Sequence, residues 1–217
     1  MKKLLISEIF TSIQGESTYA GKACFFIRLA GCNLNCSYCD TKYAFDNRNA
    51  DKMDINEIVK QAVRSGIKLV EITGGEPLLQ KNVLLLCNEL IKNGLTVLME
   101  TNGSLSIADI NPKVVKIIDC KCPSSGESNK MNFKNYSFMS SNDEIKFVLA
   151  NNEDYIYAKS VISQNKLTKI TQKILFSPIP GKLSPQLLSK WMIHDRSPAI
   201  LQLQLHKIIW PGIEKGV

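Results

Sequence analysis

The sequence predicts an α/β protein whose parallel sheet forms a partial, incomplete β/α barrel, and three observations lead there. Short apolar runs alternate with helical stretches along the chain. Residues 69–73, 81–93 and 95–100 have the lengths of a strand, a crossover helix and a strand, a right-handed βαβ unit that requires parallel strands. The later strands outnumber the convincing crossover helices, which argues for an open barrel rather than eight full repeats.

Length and composition bound the rest. At 217 residues, 44% hydrophobic and 22% charged, the chain suits a single domain over residues 1–217 and is short for two. Its formal charge of +7, from 27 Lys and Arg against 20 Asp and Glu, is scattered and contains no basic run of five. That pattern reads as a solvated basic surface, compatible with acidic small substrates, and not as a nucleic-acid groove. Seven cysteines, with Met1-Lys2-Lys3 leading straight into a strand-like run, predict a reducing cytoplasm and no disulfide framework. The apolar runs fall short of the roughly 18 residues a membrane span needs, so no membrane partner is expected.

Taken in order, residues 4–10 read as a strand and 11–17 as a polar loop containing Gly15. A strand at 25–29 delivers the cysteine loop at its C-terminal end, where α/β folds bind ligands. Asp54 is an N-cap with Glu57 three residues on, and Ile55, Ile58, Val59, Ala62 and Val63 fall on one helical face that Gly66 closes. The apolar helix at 81–93 ends at Gly94. Strands follow at 114–119 and 144–149, a helix at 153–164, a strand at 173–176, a helix at 185–194 and a last strand at 200–206. Residues 122–143, polar and without a period, are long for a connection and read as a functional loop or short helices.

The chemistry concentrates after the second strand. Cys32, Cys36 and Cys39, spaced by three and then two residues, can converge on one inorganic centre. A structural zinc site would need a fourth ligand, from Cys24, Cys87, Cys120 or Cys122; a cubane held by three cysteines leaves one iron open for chemistry. Thr73-Gly74-Gly75-Glu76-Pro77 ends the third strand with exposed backbone, or is only a strand-to-helix turn. Glu100-Thr101-Asn102-Gly103 and Asp119-Cys120-Lys121-Cys122-Pro123 put polar groups on the same rim. Arg28, inside an apolar strand, must face an anion or an internal ion pair. His206 closes Gln-Leu-Gln-Leu-His, where a structural histidine competes with a functional one.

The spacing Cys32-x-x-x-Cys36-x-x-Cys39 followed by Gly-Gly-Glu-Pro resembles the radical S-adenosylmethionine enzymes, which implies a barrel of the radical SAM type. Within that superfamily, Ile13-Gln14-Gly15-Glu16, Arg28-Leu29-Ala30-Gly31-Cys32 and Cys39-Asp40-Thr41 resemble the 7-carboxy-7-deazaguanine synthase family of 7-deazapurine and queuosine biosynthesis. The resemblance implies a [4Fe-4S] cluster on the three cysteines, S-adenosylmethionine chelated to its open iron, and a 5′-deoxyadenosyl radical. It further implies a small pterin substrate, 6-carboxy-5,6,7,8-tetrahydropterin, whose ring contracts with loss of ammonia.

By the same resemblance Thr41 holds Mg²⁺, and Ile13, Gln14, Gly15, Glu16, Thr73 and Arg28 contact the pterin, joined by His206 and Val217. Tyr38, Cys39, Asp40, Gly75, Asp119, Cys120 and Lys121 contact S-adenosylmethionine. A flavodoxin-like electron donor and a homodimer follow from the family. Cys120 and Cys122 stand where relatives often carry proline, and the chain continues past His206 to Val217. Two other functions fit parts of the pattern. A glycyl-radical activating enzyme would act on a polypeptide and has less use for Arg28 and the Gln-Gly-Glu loop. A non-catalytic iron–sulfur or zinc module has none for Gly-Gly-Glu-Pro.

Overall fold

The structure is a computed structural model that describes residues 2–217; Met1, where the sequence argument against a leader begins, lies outside them. Nine strands form one sheet: β1 (Lys3–Ile13), β2 (Ala23–Leu29), β3 (Asp51–Asp54), β4 (Leu69–Gly74), β5 (Thr96–Thr101), β6 (Val115–Asp119), β7 (Glu144–Leu149), β8 (Ile174–Pro178) and β9 (Ile200–Leu201). Their spatial order is β3-β1-β2-β4-β5-β6-β7-β8-β9, parallel from β2 to β9, with β1 and β3 added antiparallel. The order does not return on itself, so the barrel is partial, as expected.

Helices cover the outer face. α1 (Ile55–Arg64) and α2 (Val83–Lys92) pack Ile58, Ala62, Leu86 and Leu90 against Ile27, Val70, Ile72 and Met99. α3 (Asn152–Gln164) and α4 (Pro185–His194) pack Tyr155, Ala158, Val161 and Leu188 against Ile145, Phe147 and Phe176. Each large side chain so buried contributes about 1.5–3 kcal/mol. Asp54 caps α1 by accepting from the Asn56 N–H at 2.9 Å, as the sequence predicts.

The structure departs from the sequence reading in four places. β3 has no apolar signal, because Asp51 and Lys52 are exposed and it pairs only with β1 at the edge of the sheet. β1 runs on to Ile13, because its antiparallel register with β2 continues to Ala23. Val63 is 46% exposed, beyond the buried face of α1. The last strand stops at Leu201; the chain then leaves the sheet, and His206 stands on a short helix, α5 (Leu205–Ile209).

The inner face decides where the site forms. Side chains alternate along a strand, so residues two apart share a face. Near the N-terminal ends, Cys24, Phe26, Leu69, Leu98 and Ile117 close the interior with an apolar plug. Two or four residues further along, the same face carries Arg28, Glu71, Thr73, Glu100 and Asp119, joined by Lys146 of β7, all lining one cavity. No helix among the described residues is long and apolar enough to cross a membrane.

Candidate active site

A cavity of about 760 Å³ opens at the C-terminal ends of the central strands. The cysteine loop forms one wall, and backbone contact holds it there. Gly31, with φ +93°, turns the chain out of β2. The Glu76 N–H then donates to Gly31 O at 2.8 Å and the Gly75 N–H to Leu29 O at 3.1 Å. A Cβ on Gly75 would lie 2.1 Å from Gly31 O, so only glycine permits this approach. Glu76 is wholly buried; it accepts from the N–H groups of Leu78 and Asn102 and from the Thr101 hydroxyl, tying the turn after β4 to the end of β5. The Gly-Gly-Glu-Pro motif thus builds the support of the loop.

Cys32, Cys36 and Cys39 all line the cavity. Burial pushes the Cys36 thiol up to about 11, partly opposed by Lys121, and raises Cys32. Among the described residues no three His, Cys, Asp or Glu side chains are placed to hold a single metal ion. A structural zinc ion needs four protein ligands, whereas a cubane can be held by three cysteines with one iron left open. The other four cysteines are buried in the packed cores. The donor set therefore suits a three-cysteine cluster, and the zinc reading lacks its fourth ligand.

Two buried polar atoms beside the cysteines have no protein partner among the described residues, the Tyr38 hydroxyl and Asp119 Oδ1. Buried polar groups are rarely left so, and both residues line the cavity, which fits a polar ligand completing them. Lys121 Nζ holds the other Asp119 oxygen at 2.6 Å.

The opposite wall comes from the loop between β1 and β2. Gln14 donates from Nε2 to Glu71, and its Oε1 accepts from the Glu16 N–H at 3.0 Å. Glu16 accepts from Gln204 Nε2 at 2.6 Å and pairs with Lys146 at 2.6 Å. Lys146 holds its carboxyl down at about 2 in spite of burial. Gly15 lies so close to α5 that a Cβ would meet His206 Nδ1 at 2.3 Å. Burial lowers the pKa of His206 below its usual value.

Of the residues singled out from sequence, Ile13, Gln14, Gly15, Glu16, Arg28, Tyr38, Asp40, Thr41, Thr73, Gly75, Asp119, Lys121, His206 and Val217 join the three cysteines around this cavity. Cys120 does not. It is 1% exposed in the outer core with Tyr136 and Phe147, because it follows Asp119 and faces the other way. Arg28 has an internal partner, its Nε donating to Glu8 Oε1 at 2.7 Å, while the side chain still lines the cavity. The Thr41 hydroxyl donates to Asp40 Oδ1 at 3.0 Å. The sequence reading passed over Lys146 and Glu71. Both are charged residues inside apolar strands, the signal that had picked out Arg28.

The profile described as the Radical SAM superfamily matches residues 26–118. A 7-carboxy-7-deazaguanine synthase of Chlorobaculum tepidum is 44% identical over 217 residues, covering 99% of this chain and 97% of that one. One from Koribacter versatilis is 40% identical, with 98% and 99% covered. The crystal structure of QueE from Escherichia coli shares the fold, with a TM-score of 0.79 over 94% of this chain and 95% of that one at 23% identity. With relatives this similar along almost their whole length, the chain belongs to the 7-carboxy-7-deazaguanine synthase family of radical SAM enzymes.

Proposed function

We propose that this radical SAM lyase converts 6-carboxy-5,6,7,8-tetrahydropterin to 7-carboxy-7-deazaguanine with loss of ammonia, in 7-deazapurine and queuosine biosynthesis. One observation carries the reading: a single cavity joins three cysteines on one wall to Gln14, Gly15, Glu16 and Arg28 on the others. When bound, the [4Fe-4S] cluster and S-adenosylmethionine supply hydrogen-atom abstraction.

In this reading Cys32, Cys36 and Cys39 hold the cluster. Tyr38, Asp40, Gly75, Asp119 and Lys121 hold S-adenosylmethionine, and the unpartnered Tyr38 hydroxyl and Asp119 Oδ1 are the atoms it would satisfy. The Cys120 side chain faces the core, which leaves only its backbone for a contact. Arg28 is oriented by Glu8, and its terminal N–H groups have no protein partner among the described residues, so they remain for the pterin carboxylate. Ile13, Gln14, Gly15, Glu16, Thr73, His206 and Val217 enclose the ring, and Thr41 offers a hard oxygen to Mg²⁺. A single domain, a homodimer, a flavodoxin-like donor and a cytoplasmic location belong to the same proposal.

The test is reconstituted protein with reductant, S-adenosylmethionine, Mg²⁺ and the carboxytetrahydropterin, analysed by mass spectrometry. The deazaguanine carboxylate is the expected product. Its absence from a protein with an intact cluster that still cleaves S-adenosylmethionine would overturn the substrate assignment.

A further inference from the structure

Lys146 sits on β7, 5% exposed, and three separate elements bring carboxylates to it. Glu16 from the β1–β2 loop stands at 2.6 Å, Glu100 from β5 is in direct contact, and Asp119 from β6 is at 3.8 Å. Asp119 has Lys121 as a second cation at 2.6 Å, whereas Glu16 and Glu100 pair with no cation but Lys146 among the described residues. Glu71 adds a fourth carboxyl to the same floor, bound to Gln14. An ammonium is costly to bury alone, and the carboxylates gathered here without it would repel one another across a poorly screened space.

The contacts are unevenly spread over function. Glu144 and Lys146, two residues apart on one face of β7, both grip the β1–β2 loop. Glu144 accepts from the Thr18 N–H at 3.0 Å and from its hydroxyl, and Lys146 takes Glu16. A merely structural ion pair needs one partner; this one spans the cavity and ends on the loop assigned to the pterin.

We propose that Lys146 is a positioning residue for the pterin, acting through Glu16: it pulls the tip of the β1–β2 loop across the open barrel and fixes the width of the substrate side. The proposal rests on the substrate reading above. The S-adenosylmethionine side has a nearer cation of its own, Lys121 at 2.6 Å from Asp119 against 3.8 Å for Lys146, and so depends on Lys146 far less.

The test compares Lys146→Met, Lys146→Arg, Glu100→Gln and the double variant Lys146→Met/Glu100→Gln. The double variant removes one charge of each sign and keeps the test alive where Lys146→Met alone fails to fold. Thermal melting reports the fold, and titration calorimetry without reductant reports binding of carboxytetrahydropterin and of S-adenosylmethionine, each alone. The double variant is expected to bind the pterin at least tenfold more weakly than Glu100→Gln, with S-adenosylmethionine affinity within twofold. Lys146→Arg should recover most of the pterin loss, and turnover should show a raised pterin KM with kcat changed far less. Pterin affinity within twofold of Glu100→Gln would overturn the proposal, as would parallel loss of both ligands along with the melting temperature. Wild-type protein that binds S-adenosylmethionine but no pterin would overturn the substrate reading, and the proposal with it.

Discussion

Glu71 is 4% exposed and accepts from Gln14, but no cation pairs with it among the described residues. Burial, reinforced by the neighbouring Glu100 and partly opposed by Lys146, lifts its carboxyl from the ordinary 4.5 to about 8. The native state therefore keeps a proton that the unfolded chain gives up between those two values, and stability falls as pH rises through that window. Glu71→Gln, neutral throughout, should melt higher relative to the native sequence at pH 8 than at pH 5, by a few degrees in calorimetry of the ligand-free protein. A difference that stays constant with pH would show that Glu71 is ionised in the folded state. Lys146 and Glu71 escaped the sequence reading for a shared reason. Both carry the signal that picked out Arg28, a charge inside an apolar run, but in a parallel strand buried on both faces no period-two pattern says whether such a charge points inward to a site or outward.

Among the elements, the long polar segment at 122–143 shows how a stretch without periodicity still has a structural task. It folds as short 3₁₀ turns, and its first part clasps the cysteine loop. The Ser37 N–H donates to Ser125 O at 3.0 Å, the Ser37 hydroxyl to Ser124 O at 2.7 Å, and the Asn35 N–H to Glu127 Oε1 at 2.8 Å. Asp154, fully buried in the first turn of α3, anchors that clasp, accepting from the Ser124 N–H at 2.9 Å and the Ala150 N–H at 2.8 Å. Asp154→Ala leaves a buried and a half-buried donor unmet and should cost about 2–4 kcal/mol in urea unfolding, with Asp154→Asn, which keeps one acceptor, in between. Iron should also leave the reconstituted variant faster than wild type; equal iron retention would mean that the cysteine loop does not depend on this anchor. None of these partners lies near the cysteines in sequence. Apolar strands and capped helices were legible because their signals are local, whereas the clasp joins Asn35 to Glu127 across 92 positions. Residues 200–206 misled for the opposite reason: the local Gln-Leu-Gln-Leu alternation imitates a strand, but the Leu205 N–H turns to Gly15 O at 2.9 Å and draws the chain off the sheet.

At the scale of the whole molecule, an unclosed barrel leaves its interior open unless another segment covers it, and the last residues do so. Trp210, Ile213, Glu214 and Val217 line the cavity. Their ties to the rest are few, polar and solvent-accessible. Lys207 Nζ pairs with Asp40 Oδ2 at 2.8 Å, the Tyr43 hydroxyl donates to Glu214 O at 3.4 Å, and the Gly216 N–H donates to Glu8 Oε2 at 3.2 Å. Each such contact contributes about 0–1 kcal/mol, and Ile208 and Ile213 remain 61% and 54% exposed, so little apolar burial holds the segment down. Segments with few buried contacts open at low cost, and a ligand filling the space beneath adds contacts only to the closed form. The expected outcome is that trypsin cuts readily after Lys207 and Lys215 in ligand-free protein. With S-adenosylmethionine and the carboxytetrahydropterin bound together, cleavage should slow at least fivefold, while cuts elsewhere keep their rates. Cleavage after Lys207 that is slow with and without ligand would mean that the segment is a fixed wall of the cavity and that substrate enters past the β1–β2 loop instead, and cleavage equally fast in both would mean that ligand does not hold the segment closed.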